Sequence, residues 1–423
     1  MGGELSLWAK LPAEYQLLLC CGRTVLAERH VSAVGKLLDG HLAWPLVLEL
    51  ASWHRLSGLL FHNLRQSEFN NRVPQWVMQD LEEVYYGNFA RNLYYQAELG
   101  KVLQALQAEG VPAIVLKGAA LAEAVYQDIG LRPMVDLDIM VQEGHIDRAD
   151  SSTQRLGFLP RESPEKQKRM RETHRHYPAL VSPDQMVPIE IHRHIVESDS
   201  PFHFDLAGFW TRAHGATIAG MQALALAPED QLTHLCLNCF LDRKYRSSGA
   251  LGQLCDISET ILHYSDTLDW DLFNHEAQRH NLAGPIYCIL HTVRELTGTA
   301  PPGNVLKALE PESFSAGMAQ RFIEKRVLRA SQWVPLEFVR PRKNPWRRVF
   351  PEHSYLAQRY GWSGSSRSIF WLYLRRMVEA SKLLSQSLSR PWNMGQDLRI
   401  NRWLQSLYES GEPEAQNDRN SGK

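Results

Sequence analysis

The stretch Val135-Asp136-Leu137-Asp138-Ile139-Met140-Val141, in which two carboxylates alternate with apolar residues, decides the fold. A period of two predicts a β-strand, because successive side chains on a strand point to opposite faces. We therefore expect Asp136 and Asp138 to share one face. Two carboxylates held side by side repel each other unless a cation neutralises them. A divalent ion is the usual solution, and paired Mg²⁺ ions support phosphoryl or nucleotidyl transfer. An exposed polar strand edge is the alternative.

A second motif lies upstream, where the apolar run from Ala113 to Leu116 ends in Lys117-Gly118-Ala119 and a helix-like segment follows. A strand, a glycine turn and a helix N-terminus together form an anion cradle, because free backbone N–H groups and the helix dipole face the ligand. Lys117 would add a positive charge, and Arg132 is a second cation that could bind phosphate. We therefore predict phosphate or nucleotide binding by Lys117, Gly118, Ala119 and Arg132.

A third acid follows downstream in Val187-Pro188-Ile189-Glu190-Ile191-His192, which also has the pattern of a short strand. If this strand lies beside the first, Glu190 and His192 point the same way. Glu190 would then complete a carboxylate triad with Asp136 and Asp138. We predict that this triad is catalytic and holds Mg²⁺ or Mn²⁺, and that His192 supports the acids through a hydrogen bond.

Histidine and cysteine pairs suggest other metal sites. His174-Arg175-His176 and His192-Arg193-His194 would each place two imidazoles on one face of a strand, where they could bind a transition metal or play a structural role. Cys236-Leu237-Asn238-Cys239 has the spacing of zinc and redox sites. However, it lies in an apolar run with helical periodicity and has no second such pair, which favours a buried helix.

The overall composition is that of a globular protein, with 44% hydrophobic and 22% charged residues among 423. A formal net charge of −1 argues against general nucleic-acid binding, which needs a basic excess. The six cysteines are too sparse for a disulfide scaffold, so we expect reduced thiols and a cytoplasmic protein. The sequence contains no run of about 20 apolar residues, so we expect no membrane span.

Periodicity along the chain predicts an α+β fold. Residues 1–110 have helical patterns, including one long helix from Gln75 to Ala108 that follows Pro74. Residues 111–227 carry the strands and the candidate chemistry, residues 228–405 are again helical, and residues 406–423 have the composition of a disordered tail. A small mixed β-sheet core flanked by largely helical N- and C-terminal regions is therefore expected.

The motifs Leu116-Lys117-Gly118-Ala119, Leu131-Arg132-Pro133-Met134 with Asp136-Leu137-Asp138, and Glu190-Ile191-His192 occur in this order. Together they resemble the uncharacterised nucleotidyltransferase family of the DNA polymerase β superfamily, and the resemblance extends over roughly residues 15–380. It implies a nucleotidyltransferase core, a small mixed sheet with helices on one side. The superfamily has Gly-Ser at the turn, whereas Gly118-Ala119 lacks the hydroxyl.

The activity expected from the triad and this resemblance is metal-dependent transfer of a nucleoside monophosphate. The donor would be a nucleoside triphosphate, with ATP as the first candidate, and the acceptor is unidentified. Glu190 or Asp138 is the candidate general base. Two alternatives remain open: an inactive nucleotidyltransferase-fold protein that binds or regulates, and a metal-dependent phosphohydrolase.

Overall fold

The computed structural model describes residue 8 and residues 11–197, 200, 202, 206–242, 251–328 and 394–409. Within these residues the chain is an α+β protein, as predicted, in which a mixed sheet is flanked by helices from both ends of the chain. Residues 406–409 of the predicted disordered tail are helical, and the rest of it, from position 410 onward, lies outside the described residues.

The strands of the sheet are β1 (Ile114–Leu116), β2 (Leu137–Met140), β3 (Leu159–Pro160), β4 (Leu180–Val181), β5 (Pro188–His192), β6 (His214–Ile218) and β7 (Met221–Ala225). Their spatial order is β3-β4-β5-β2-β1-β7-β6. β2 runs parallel to β5 and antiparallel to β1, and β1 runs parallel to β7. The remaining neighbours are antiparallel. The carboxylate strand β2 therefore lies at the centre of the sheet.

The N-terminal region is helical, as expected. Its helices are α1 (Ala13–Cys21), α2 (Glu28–Asp39), α3 (Trp44–Trp53), α4 (Ser57–Leu64), a 3₁₀ turn (Asn70–Arg72) and α5 (Gln75–Ala108). The prediction of one long helix is confirmed by α5. Pro74 immediately precedes it with φ −55°, and Gly110 follows it with φ +65°, a conformation that favours glycine.

Helices connect several of the strands, and further helices follow the sheet. Those near the strands are α6 (Lys117–Leu121), which continues as a π-helical turn (Ala122–Tyr126), a 3₁₀ turn (Glu143–His145), α7 (Ile146–Arg155), α8 (Pro164–Thr173) and α9 (Ala207–Arg212). Those after the sheet are α10 (Pro228–Leu241), α11 (Leu251–His263), α12 (Trp270–Arg279), α13 (Ala283–Thr297), α14 (Gly303–Leu309), α15 (Ala316–Phe322), a π-helical turn (Ile323–Val327) and α16 (Met394–Glu409).

The two faces of the central strands belong to two hydrophobic cores. On one face, Leu137 and Ile139 join a buried cluster with Leu99 of α5. On the other face, Leu116 and Met140 join a larger cluster built by the N- and C-terminal helices. The expectation of helices on one side of the sheet is therefore wrong, because the flanking helical regions bury apolar side chains of the second face.

Helix α5 connects these two cores. Val77 and Leu81 in its first half belong to the larger cluster, whereas Leu99 and Leu103 in its second half belong to the sheet core. Its 34 residues extend about 51 Å at the usual helical rise. The helix therefore holds the N-terminal region against the sheet.

Helix α4 packs closely on the segment that precedes β2. A Cβ atom at Gly58 would lie 2.5 Å from the carbonyl oxygen of Gly130 and 2.6 Å from that of Leu131. Glycine is therefore needed for this backbone contact.

Among the helices that the structure describes, none combines the length and the apolarity that crossing a membrane requires.

Candidate active site

Asp138 and Glu190 lie side by side at the centre of the sheet. They are register partners on β2 and β5, so their side chains project from the same face. His192 occupies the next position of β5 on that face, which confirms the predicted alignment of Glu190 and His192. Asp138 is 3% exposed, and the Glu190 side chain is 22% exposed. One carboxylate is therefore buried and the other reaches solvent.

Asp138 accepts two hydrogen bonds on the same oxygen. Lys117 Nζ donates to Oδ1 over 2.7 Å, and His192 Nε2 donates to it over 2.8 Å. Burial by itself raises the pKa of Asp138, but Lys117 and His192 outweigh burial and hold that pKa far below its ordinary value. Asp138 is therefore ionised, and Oδ2 is the oxygen that these two bonds leave for a cation.

Asp136 stands apart from this hydrogen-bonded group. It precedes β2 and is half-buried. One ligand atom from each of Asp138, Glu190 and His192 lies within 4.8 Å of the others, and Asp136 lies outside this group. Burial first, and the charge of Asp138 second, raise the pKa of Asp136 to about 6. The raised pKa marks negative charge that nearby cations do not fully compensate.

Glu190 differs from Asp136 although both are acids of the same site. Burial raises the pKa of Glu190, but the interaction with His192 and the proximity of His176 lower it to about 2. The Nε2 atoms of these imidazoles lie 3.5 Å and 3.8 Å, respectively, from Glu190 Oε2. Glu190 is therefore ionised at neutral pH.

The hydrogen bond from His192 to Asp138 determines which ring nitrogen of His192 carries a proton. Because a carboxylate only accepts, Nε2 must carry a proton. The other nitrogen, Nδ1, is buried and has no hydrogen-bond partner among the described residues. Coordination of a metal through Nε2 would move the proton to Nδ1 and leave a buried N–H group unsatisfied, at a cost of about 1–3 kcal/mol. His192 is therefore suited to position Asp138 and poorly suited to bind an ion.

The backbone at Lys117 adopts an unusual conformation. Its φ is +45°, in the left-handed region, at the first residue of α6, which follows β1 directly. A residue with a Cβ atom pays about 1 kcal/mol or more there. The side chain is 16% exposed and reaches Asp138 from this position. Backbone strain at a partly buried cation beside a carboxylate is typical of functional sites.

Arg132 is engaged by an acid from α11. Its Nε and Nη2 atoms each donate to the Asp256 carboxylate over 2.8 Å, in a bidentate pair. Its Nη1 atom lies 2.8 Å from the position of a Cβ atom at Gly118. The structure thus places Arg132 directly against the Lys117-Gly118 turn, with most of its guanidinium committed to Asp256.

Two residues of α5, which the sequence did not single out, hold the segment before Asp136. Asn92 is fully buried and donates to the carbonyl oxygens of Ile129 and Arg132 over 2.5 and 2.7 Å. Its Oδ1 atom accepts the backbone N–H of Met134 over 3.1 Å. Tyr95 OH lies 3.1 Å from the carbonyl oxygen of Met186 and 3.4 Å from that of Val135, and shares its one proton between these segments before β5 and β2. No sequence pattern distinguishes them from other polar residues of a long helix.

Arg55 is a further cation near the carboxylates. It lies between α3 and α4, is exposed and has φ +62°. Although burial is the main influence on the pKa of Asp136, the Arg55 charge lowers it, which places this guanidinium within electrostatic reach. The feature that distinguishes Arg55 is its positive φ, and the sequence does not reveal this angle.

The remaining candidate motifs separate in the structure. His174 and His176 form a group with Glu197, whereas His192 belongs with Asp138 and Glu190. His194 Nδ1 instead accepts the backbone N–H of Val196. Cys236 and Cys239 are buried in α10 and belong to the larger core, as the helical interpretation predicted.

The donor set fits a hard divalent ion. Asp138 and Glu190 offer carboxylate oxygens, which Mg²⁺ and Mn²⁺ prefer. The charge at Asp136, reflected in its raised pKa, would be relieved by a cation. The competing cation is Lys117, which already shares Asp138 Oδ1.

Comparison with known proteins agrees with the resemblance of the motifs. The sequence profile of the uncharacterised nucleotidyltransferase family matches residues 40–298, more than half of the chain, including Lys117, Asp136, Asp138 and Glu190. No curated protein and no solved structure matches the chain. With this match and the mixed sheet that carries the three motifs, the chain belongs to the uncharacterised nucleotidyltransferase family.

Proposed function

We propose that the protein is a metal-dependent nucleotidyltransferase. It would move a nucleoside monophosphate from a nucleoside triphosphate, with ATP as the first candidate, to an acceptor of unidentified class. The observation that carries this proposal is the register pairing of Asp138 with Glu190 beside the strained Lys117, within the segment that the family profile matches.

Asp136, Asp138 and Glu190 would hold Mg²⁺ or Mn²⁺, which supplies neutralisation of phosphate charge and activation of an acceptor hydroxyl. Lys117 would exchange its bond to Asp138 for a phosphate oxygen. Gly118 and Ala119 would contribute backbone N–H groups from the first turn of α6, which no side chain caps. Because Ala119 has no hydroxyl, phosphate binding at this turn would rest on backbone donors and Lys117.

Glu190 and Asp138 stay the candidate general bases. The pKa of Asp136, raised to about 6, does not select Asp136 for this role, because that value belongs to the site without a cation and would fall once a cation binds. Arg132 would support the phosphate turn through its contact with Gly118, since Asp256 occupies two of its nitrogens.

Nucleotide-dependent unfolding and pyrophosphate release together test the proposal. Thermal unfolding is measured with each of the four ribonucleoside triphosphates, with Mg²⁺, Mn²⁺ or chelator. We expect a metal-dependent rise in Tm with one of them, absent in Asp136→Asn and present in Asp266→Asn, a control at an exposed acid. Pyrophosphate release should then appear when acceptors are screened. A metal-independent shift, or an equal shift in Asp136→Asn, would refute the proposed site.

A second candidate is a protein that binds nucleotide without turnover. The ion pair of Lys117 with Asp138 favours it, because an ammonium group already neutralises the carboxylate that would bind the ion. Nucleotide-induced stabilisation that needs no metal and survives Asp136→Asn, without pyrophosphate release, would identify this function.

We further propose a cytoplasmic location. All six cysteines are free and buried, and a reducing compartment keeps such thiols reduced.

A further inference from the structure

A second cluster of possible metal ligands lies beside the carboxylate site. One ligand atom from each of His174, His176 and Glu197 lies within 4.8 Å of the other two. The His174 Nδ1 atom is 3.8 Å from Glu197 Oε2, and the two imidazole rings have centroids 6.0 Å apart. All three residues are partly exposed, so an ion in solution could reach them.

The backbone around this cluster is held by hydrogen bonds to the end of β5. Arg193, which follows β5, donates twice. Its Nε donates to the carbonyl oxygen of His174 over 3.0 Å, and the Arg193 backbone N–H donates to the carbonyl oxygen of Arg175 over 2.9 Å. His176 forms a bridge with His192 in the same antiparallel arrangement. Arg175 N–H donates to Glu197 Oε2 over 2.8 Å, which orients that carboxylate. The three side chains therefore rest on a framework shared with the carboxylate strand.

His176 is prepared for an ion by its second nitrogen. Nδ1 lies 2.8 Å from the carbonyl oxygen of Tyr177 and must donate to it, because a carbonyl has no proton. Nε2 is therefore the nitrogen that can offer a lone pair. Metal-binding histidines usually donate their other N–H group to a carbonyl or carboxylate in this way, which fixes the tautomer and the ring.

We propose that His174, His176 and Glu197 bind a transition-metal ion of the Zn²⁺ class, at a site separate from the oxygen ligands of Asp138 and Glu190. Two imidazoles and one carboxylate are a common ligand set for such ions, with an open position for water or a substrate group. Mg²⁺ and Ca²⁺ prefer oxygen ligands and would not compete effectively. In a tetrahedral site with bonds near 2 Å, donor atoms lie about 3.3 Å apart. The ligand atoms lie within 4.8 Å of one another and would move closer together when an ion binds.

The site would lie close enough to influence the carboxylates. The His176 ring is 5.3 Å from the His192 ring, and its Nε2 atom is 3.8 Å from Glu190 Oε2. An ion that engages Nε2 withdraws it from Glu190. The bound ion would thus change the surroundings of Glu190 without using it as a ligand.

Metal titration of the full chain tests this site independently of nucleotidyl transfer. The protein is stripped with chelator and titrated, in excess Mg²⁺, with Zn²⁺ by calorimetry and with Co²⁺ by visible absorption. We expect one tight ion and a Co²⁺ spectrum typical of nitrogen ligands. His176→Asn and Glu197→Gln should each weaken binding by at least about tenfold, since even loss of an outer hydrogen-bond partner has such an effect.

Two control variants locate the ion. His214→Asn, at an exposed histidine of β6, should retain the affinity, and Glu190→Gln should weaken binding less than Glu197→Gln does. Loss of binding in Glu190→Gln but not in Glu197→Gln would place the ion at the carboxylates and overturn the inference. Unchanged affinity in both His176→Asn and Glu197→Gln would overturn it as well. Glu197→Gln keeps an acceptor for Arg175, and unfolding in chelator shows whether each variant is folded. A protein without nucleotidyl transfer would still show the metal signature, so the two proposals fail separately.

Discussion

Replacing Asp136 by asparagine should stabilise the folded protein, whereas the same replacement at Asp138 should destabilise it. From the sequence, the two acids form an equivalent repelling pair, and removing either should relieve repulsion. The structure separates them, because Lys117 and His192 both bond to Asp138, while Asp136 retains uncompensated charge.

The gain in stability in Asp136→Asn follows from the raised pKa of Asp136. A rise from 3.8 to about 6 corresponds to about 3 kcal/mol of unfavourable free energy at pH 8. Asp136 is partly exposed, so solvent screening reduces the expected gain to about 1–2 kcal/mol. An acid with a raised pKa destabilises the folded state fully above that pKa and not at all below the unfolded value. The gain in Asp136→Asn should therefore fall to about half at pH 5.

The loss of stability in Asp138→Asn follows from Lys117, whose positive charge is left without its partner. Lys117 is 16% exposed, and a buried charge without its partner costs about 3–5 kcal/mol. Asparagine keeps an acceptor for the two hydrogen bonds, so we expect the lower end, about 3 kcal/mol. If the site were only a repelling pair, Asp138→Asn would instead be as stable as Asp136→Asn.

Urea unfolding in chelator, at pH 8 and pH 5, measures both effects in the absence of bound metal. Asp266→Asn, at an exposed acid, is the control and should change the free energy of unfolding little. An Asp138→Asn variant at least as stable as the wild type would refute the structural assignment. So would a gain in Asp136→Asn that does not shrink at pH 5.

Other variants test the surroundings of the site. Gly118→Ala should cost about 1–3 kcal/mol in unfolding experiments, because its Cβ would lie 2.8 Å from Arg132 Nη1; a neutral result would show that Arg132 can move. Burial lowers the pKa of His54 to about 3, so the folded state loses stability as pH falls below about 6.5, and His54→Asn should flatten that slope by up to about 1.4 kcal/mol per pH unit. Because the Arg55 guanidinium lies within electrostatic reach of Asp136, we expect it to attract the phosphates of a nucleotide bound there. Arg55→Ala should therefore reduce nucleotide-induced stabilisation while leaving Tm without nucleotide nearly unchanged, and an equal nucleotide shift would exclude this role.

The sequence by itself determined the main helices and strands and the family. Alternation of apolar and acidic residues predicted β2, the helical period predicted α5, and the three ordered motifs indicated the family. These signals are local, because side-chain periodicity and turn residues reflect the conformation of neighbouring residues. Period two also predicted that Glu190 and His192 project from the same face of their strand. The pairing of β5 with β2 places that face beside Asp138.

Only the tertiary structure decided how the acids differ. Asp138 and Asp136 have the same side chain, yet Lys117 and His192 bond directly to Asp138, whereas Lys117 and Arg55 only partly offset the charge of Asp136. The sequence predicted Arg132 as a phosphate ligand but not that Asp256, distant in sequence, would bind two of its nitrogens. Helix α5 positions Asn92, and a backbone with positive φ positions Arg55. Such roles depend on burial and on partners far along the chain, which no local pattern encodes.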